Sequence, residues 1–219
     1  MSVRRIVLKP GREGPVRSGH PWIFSGAVAD GLDACTPGDV VRVASANGRF
    51  VAMGYANPRT TIAVRVLSLH DEEIDDAFVG RRLDEALALR RATLPPDLDC
   101  HRIVNGEGDR LPGVVIDRYG AFVVCQFLTA GADRLAPAVV RGIEERLEPS
   151  GIFERSEGGV RTEEGLPGAR GVRAGQEPPA RLTIREGDCI YLVDLLHGQK
   201  TGFFLDQRES RARVGALAD

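Results

Sequence analysis

The feature that most restricts the fold is the dipeptide Asn47-Gly48, which lies between two short runs of β-branched and apolar residues. Asn-Gly readily adopts the positive φ angles of a type I′ turn, so this pattern predicts a β-hairpin. Several short strands separated by Gly and Pro predict a small β-barrel that ends at about His70. The strand candidates are residues 3–8, 39–45, 49–55 and 60–67.

Residues 73–195 combine helical and strand patterns, which makes the predicted fold class of the chain α+β. Apolar residues at helical spacing predict a helix from Asp75, a suitable N-cap, to about Arg91, and a second helix over 132–147. The strand candidates are 102–104, 114–117, 121–128, 151–155, 180–185 and 189–195. In contrast, Ser156–Pro179 is rich in Gly, Pro, Glu and Arg without periodicity, and we expect a mobile loop there.

The last segment, residues 196–219, has a helical composition from Leu205 onward. Its charged residues would lie along one side of the helix, and Val214 and Leu217 would form an apolar stripe. Such a stripe needs a surface to pack against.

Composition excludes several classes of protein. No run of about 18 uncharged apolar residues is present, so no membrane-spanning helix is predicted. The basic start of the chain is not followed by the apolar stretch of a signal peptide, which predicts a cytoplasmic location. The four His residues share no metal-ligand spacing, and the cysteines form no CxxC pair, so we predict neither a metal site nor a disulfide framework. The cysteines are Cys35, Cys100, Cys125 and Cys189; the last two lie in apolar strands, which predicts that they are buried.

Patterns that would supply catalysis are incomplete. Residues 106–113 begin as GxG, but Pro112 stands where a phosphate-binding helix should open, which favours a turn over a cofactor loop. Residues 198–201 (GQKT) are similar to the tail of a P-loop, but Gln199 separates the Gly from the Lys. A P-loop nucleotide hydrolase is therefore a weak alternative, and no catalytic residue is predicted.

A basic segment, residues 11–28, is the best candidate for binding RNA. Residues 1–70 carry nine basic and four acidic side chains, whereas 71–170 carry thirteen basic and twenty acidic ones. Glycines allow close approach to phosphates, arginines supply charge, and aromatic rings can stack on bases. The alternative is that Trp22 and Phe24 belong to the barrel core, which we favour for Trp22. The candidate RNA-binding residues are Arg12, Arg17, His20, Trp22 and Ser25.

Three stretches resemble successive landmarks of one family: 11–28 (from GRE through GHPWIFSGAV), 105–120 (NGEGDRLPGVVIDRYG) and 197–211 (HGQKTGFFLDQRESR). The family is that of bacterial rRNA large-subunit methyltransferases, which place a PUA domain before a class I domain dependent on S-adenosyl-L-methionine. Its members make 5-methylcytosine in 23S rRNA. The resemblance implies a PUA barrel over 1–72, an α/β linking domain over 73–195, and the start of a Rossmann-like methyltransferase domain over 196–219.

The resemblance also implies roles for residues near the end of the chain. Lys200, Thr201, Phe203, Asp206, Gln207 and Arg208 would line the entrance of the S-adenosylmethionine pocket. In this family the Gly-rich cofactor loop and the catalytic Cys follow later in the sequence. We therefore expect a truncated methyltransferase that is inactive and binds no cofactor by itself.

The expected partner is 23S rRNA, and homodimers occur in the family. The alternative function is a stand-alone PUA-type RNA-binding protein without catalytic activity.

Overall fold

The hairpin predicted at Asn47-Gly48 forms the centre of a six-stranded sheet, here called the N-terminal sheet, in a computed structural model that describes residues 3–96 and 98–217. Its strands are β1 (Arg4–Leu8), β2 (Trp22–Phe24), β3 (Val28–Asp30), β4 (Asp39–Ala44), β5 (Phe50–Ala56) and β6 (Ile62–Ser68), with a short helix α1 (Gly14–Arg17) after β1. The four predicted strands are confirmed as β1, β4, β5 and β6, whereas the short helix α1 was not predicted.

The N-terminal sheet curls because of how its edges are connected. The strand order is β2-β6-β5-β4-β1-β3, with β1 parallel to β4 and the other pairs antiparallel. The two edge strands, β2 and β3, are consecutive in the chain and are joined only by the 3₁₀ turn Ser25–Ala27. A connection of three residues holds both edges close together, so the sheet must bend around its apolar interior.

A second, five-stranded sheet follows, with the order β11-β10-β9-β8-β7. Only β9 and β10 run parallel, and the helix α3 crosses between them as a βαβ unit. The elements are α2 (Asp76–Thr93), β7 (Cys100–Asn105), β8 (Val114–Tyr119), β9 (Phe122–Phe127), α3 (Ala130–Leu147), β10 (Gly151–Ser156), α4 (Gly159–Glu163) and β11 (Ala169–Gly175). Both predicted helices are present, and the Asp75 carboxylate accepts a hydrogen bond from the Phe78 amide at 2.8 Å.

The five-stranded sheet is covered on both faces, as alternation along β9 demonstrates. Val123, Cys125 and Phe127 pack with α2 and α3 in one core. Val124, on the opposite face, packs with residues of a two-stranded hairpin, β12 (Leu182–Glu186) and β13 (Cys189–Val193), and with Leu195. This second core holds the segment after β13 against the sheet.

The expectation of a structureless mobile loop over Ser156–Pro179 is wrong. This segment contains α4 and β11, and β11 pairs with β10 from Gly151 to Ser156. The pattern concealed the strand because β11 is an edge strand, and most of its side chains are exposed or only half-buried.

The predicted C-terminal helix forms as a 3₁₀ turn, Leu205–Gln207, followed by α5 (Arg208–Gly215). The proposed stripe residues Val214 and Leu217 are 66% and 87% exposed. Among the described residues, no helix has both the length and the apolar character needed to cross a membrane.

Two buried polar residues join the N-terminal sheet to the five-stranded sheet. The Tyr55 hydroxyl donates to the Pro112 carbonyl at 3.0 Å and lies 2.7 Å from Thr129 Oγ1. The Glu164 carboxylate, only 3% exposed, accepts hydrogen bonds from Arg65 at 2.9 Å and from Asn57 at 2.8 Å. Both residues reach between the five-stranded part of the molecule and the N-terminal sheet.

We predict that Gly131→Ala strongly destabilises the protein, because the Tyr55 ring lies directly against this glycine. An added Cβ would be 2.0 Å from Tyr55 Cγ. Overpacking of this kind costs about 1–3 kcal/mol or more. Gly215→Ala is the matched control, since nothing lies within 4 Å of its added Cβ. Urea denaturation should separate the two variants, and equal stability would contradict the packing described here.

Candidate functional site

A cavity of about 930 Å³ lies between the C-terminal end of α2, strand β7 and the segment 200–213. Five of the six predicted cofactor residues line this first cavity: Lys200, Thr201, Phe203, Asp206 and Arg208. Gln207 does not line it and is exposed.

A buried polar network fixes one wall of the first cavity. The Arg102 guanidinium holds both oxygens of the buried Asp117 carboxylate, at 2.7 and 2.9 Å. Thr201 donates to Asp117 Oδ2 at 2.6 Å, and its Oγ1 lies 2.8 Å from the Tyr119 hydroxyl. The hydrogen bond with Asp117 raises the pKa of Arg102, and burial raises the pKa of Tyr119. Thr201 therefore fixes the segment that follows β13 to strand β8 of the five-stranded sheet.

Lys200 is held by its neighbours rather than pointing to an open position. Its ammonium donates to both Asp206 oxygens at 2.8 Å and lies 4.7 Å from the centre of the Phe204 ring. This hydrogen bond lowers the pKa of Asp206. Lys200 also has a φ of 55°, in the left-handed region that few non-glycine residues adopt.

Phe203 contributes to packing more than to the cavity surface. Its ring centre lies 5.0 Å from that of Tyr191, and the Arg211 guanidinium lies 4.4 Å from the same ring. Arg211 in turn forms two hydrogen bonds with Glu186, at 2.8 and 2.6 Å. Arg208 differs, because its half-buried guanidinium makes no hydrogen bond or ion pair with residues 3–96 or 98–217.

The basic segment presents most of its predicted RNA-binding residues to solvent. Arg12, Arg17, His20 and Ser25 are exposed. Lys9 supports the segment by donating to the Gly26 carbonyl at 2.9 Å.

Trp22 has an environment that differs from both interpretations of the sequence. It is half-buried, and its indole N–H donates to Glu107 Oε1 at 2.8 Å. Its ring also lies 5.9 Å from the Arg65 guanidinium. Trp22 therefore links the basic segment to the turn after β7, and it lies outside the apolar core of the N-terminal sheet.

Comparison with known proteins identifies the first part of the fold. Residues 6–69 match a PUA-like domain. Over 213 residues the chain is 41% identical to "Ribosomal RNA large subunit methyltransferase I" of Escherichia coli O139:H28. It is 42% identical to the protein of the same name from Cronobacter sakazakii. Each alignment covers 96% of this chain and 54% of the relative, so the chain spans about half the length of these curated relatives.

Two solved structures share the fold. One is a proposed SAM-dependent methyltransferase from Streptococcus mutans, with a TM-score of 0.79 and 20% identity over 97% of this chain and 54% of that protein. The other is a proposed methyltransferase complexed with SAH, with a TM-score of 0.80 and 20% identity over 97% of this chain and 53% of that protein. The expected PUA-like fold is thereby confirmed for residues 6–69, and the domain limits at 72 and 195 remain predictions.

Sequence reasoning missed the residues that connect the PUA-like domain to the rest of the molecule. The turn Gly106–Asp109 is a 3₁₀ turn, as expected for a stretch that is not a cofactor loop. Its acidic residues, however, have specific partners: Glu107 accepts from Trp22, and Asp109 accepts two hydrogen bonds from Arg90, both at 2.6 Å. In the sequence, the alternation of glycines and acidic residues in this turn was the signal that could have indicated these contacts.

The cysteines supply no activated thiol to the first cavity. Cys100 lines it, but burial together with the charges of Glu186 and Asp99 raises the pKa of this thiol to about 11. The prediction that Cys189 is buried is wrong, because this residue lies at the exposed start of β13. No cluster of three or more potential metal-ligating His, Cys, Asp or Glu side chains occurs in the described ranges.

We predict that iodoacetamide at pH 8 modifies Cys189 and spares Cys100 in the folded protein. With a pKa of about 11, only about one Cys100 thiol in a thousand is ionised at this pH, and the residue is also buried. Peptide mass spectrometry before and after unfolding in urea measures both sites. Rapid labelling of Cys100 in the native protein would show a reactive thiol in the cavity.

Proposed function

We propose that this chain is the RNA-recognition portion of an S-adenosylmethionine-dependent methyltransferase that modifies cytosine at carbon 5 in 23S rRNA in the cytoplasm. The observation that carries the proposal is the identity of 41% over 213 residues with a ribosomal RNA large subunit methyltransferase. The PUA-like match at residues 6–69 contains the whole basic segment.

The exposed arginines of the basic segment supply the chemistry for RNA binding. Arg12 and Arg17 are exposed and make no side-chain hydrogen bond or ion pair with any other described residue, so both guanidinium groups are available to phosphates. Lys9 fixes the backbone of the segment at Gly26, which limits the entropy cost when RNA binds.

The residues around the first cavity fit S-adenosylmethionine only in part. Thr201 already donates to Asp117, and the Lys200 ammonium donates to the Asp206 carboxylate. Phe203 is packed against Tyr191. Among these residues, Arg208 makes no side-chain hydrogen bond with residues 3–96 or 98–217, and Lys200 keeps one N–H of its ammonium free. So few free donors do not hold a cofactor of this size. By themselves, the described residues of the first cavity therefore make an incomplete cofactor site.

The first test is binding to 23S rRNA fragments across a salt series. The double variant Arg12→Glu/Arg17→Glu should bind more weakly, and the slope of log K against log salt should become shallower. The expected change in slope is about 0.7 for each phosphate of single-stranded RNA that the variant no longer neutralises.

The matched control is Arg91→Glu/Arg181→Glu, which makes the same charge change at exposed arginines outside the PUA-like domain. An unchanged slope in the Arg12/Arg17 variant would exclude the basic segment as the RNA face. Failure of the unmodified protein to bind RNA would exclude the proposed function.

The second test is calorimetric titration with S-adenosylmethionine. We expect no heat of binding to this chain, because Arg208 is the only cavity donor among the predicted cofactor residues without a partner in the described structure. Binding that disappears in Arg208→Ala and persists in Arg91→Ala would contradict this and would locate a complete cofactor site in the first cavity.

A further inference from the structure

A second cavity, of about 580 Å³, lies where the PUA-like domain meets helix α2. Its walls come from the basic segment at 19–21, the end of β6 at 66–70, the first turns of α2, and the turn at 107–110. Its volume is in the range of sites that hold small organic ligands. We propose that this cavity holds one nucleotide of a single-stranded RNA, an inference that rests on the proposed RNA binding.

Most charges in the second cavity are already neutralised by each other. Arg81 pairs with Glu72 at 2.6 Å, and Arg82 pairs with Glu85 at 2.9 Å. A lining of balanced pairs suits a neutral base and ribose better than it suits a free ion. One cation of the lining, Arg110, stands outside these pairs.

Arg110 is placed to receive a phosphate. It is exposed, and its guanidinium contacts no acidic or carbonyl group within hydrogen-bond distance in the part of the chain that the structure describes. Its φ of 58° lies in the left-handed region, where it ends the 3₁₀ turn. The turn thus holds an unpaired guanidinium at the cavity wall, and a guanidinium can donate two parallel hydrogen bonds to a phosphate.

Glu107 is placed to read a base. Its Oε1 accepts from the Trp22 indole at 2.8 Å and lies 3.4 Å from Arg65 Nη1. Its Oε2 accepts no hydrogen bond from residues 3–96 or 98–217, and Glu107 lines the cavity. A carboxylate oxygen accepts from the exocyclic amino group of cytosine but repels the O4 carbonyl that uracil carries at the same position.

The remaining walls can accommodate a flat base. His20 is an exposed ring from the basic segment, and Leu69, just after β6, is 45% exposed. Unstacked RNA bases commonly pack on such rings and apolar side chains. Since His20 belongs to the basic segment, RNA bound there passes beside the opening of the second cavity.

The phosphate contact is tested with Arg110→Gly. Glycine adopts a φ of 58° without strain, so this variant should fold at least as well as the unmodified protein. Affinity for oligocytidylate of about 10 nucleotides should fall by about fivefold, and the salt slope should decrease by about 0.7. The control is Arg181→Gly, which removes another exposed loop arginine.

The base contact is tested with Glu107→Gln and a pair of probes, oligocytidylate and oligouridylate. The unmodified protein should prefer the cytidine oligomer. In the variant, the Trp22 N–H still needs an acceptor, so the amide oxygen faces Trp22 and the amide NH₂ faces the cavity. That NH₂ donates to uracil O4, so the preference should shift toward oligouridylate.

The outcomes separate this inference from the proposed function. If Arg12→Glu/Arg17→Glu weakens RNA binding while Arg110→Gly and Glu107→Gln behave like the unmodified protein, RNA binding stands and the nucleotide site is wrong. An unchanged base preference in Glu107→Gln likewise overturns the base contact. If the unmodified protein binds none of these RNAs, both ideas are wrong.

Discussion

The carboxylate of Glu164 is the interaction on which the arrangement of the two sheets depends. It accepts hydrogen bonds from Arg65, Asn57 and the Ala130 amide, which belong to three separate segments of the chain. A buried carboxylate is stable only when such partners surround it. Because Arg65 also approaches Glu107, the same network orients the turn between the two cavities. The relative position of the basic segment and the two cavities therefore depends on one buried carboxylate.

Much of the fold was predictable because its signals are local. The hairpin at Asn47-Gly48 and the helix capped by Asp75 are each specified by residues within a few positions of one another. Five of the six residues assigned by resemblance to a cofactor pocket do line one cavity. The hydrogen bonds of these residues were not predictable from the sequence. Thr201, for example, donates to Asp117, which lies 84 positions earlier in the sequence.

The features that the sequence did not predict have one physical origin, which is contact between segments that are distant in the chain. Strand β11 pairs on one side only and has no apolar alternation, so no period revealed it. The sequence around Trp22 suggests a core or an RNA-stacking role, yet its partner Glu107 is 85 positions away. Cys189 lies in an apolar run, but it is the first residue of β13 and is exposed there. On the other face of the same strand, Ile190 is 65% exposed. Local pattern does not report which side of a two-stranded hairpin is covered.

The segment from Asn105 to Arg110, at the end of β7 and in the turn after it, contributes residues to both cavities. Asn105 lines the first cavity, whereas Glu107 and Arg110 line the second, and Asp109 is fixed by Arg90 in the wall of the first. A molecule that displaced this turn from one cavity would change the wall of the other, and thermodynamic reciprocity would make the two effects on binding equal. The residues from Asn105 to Arg110 thus form a wall that the two cavities share.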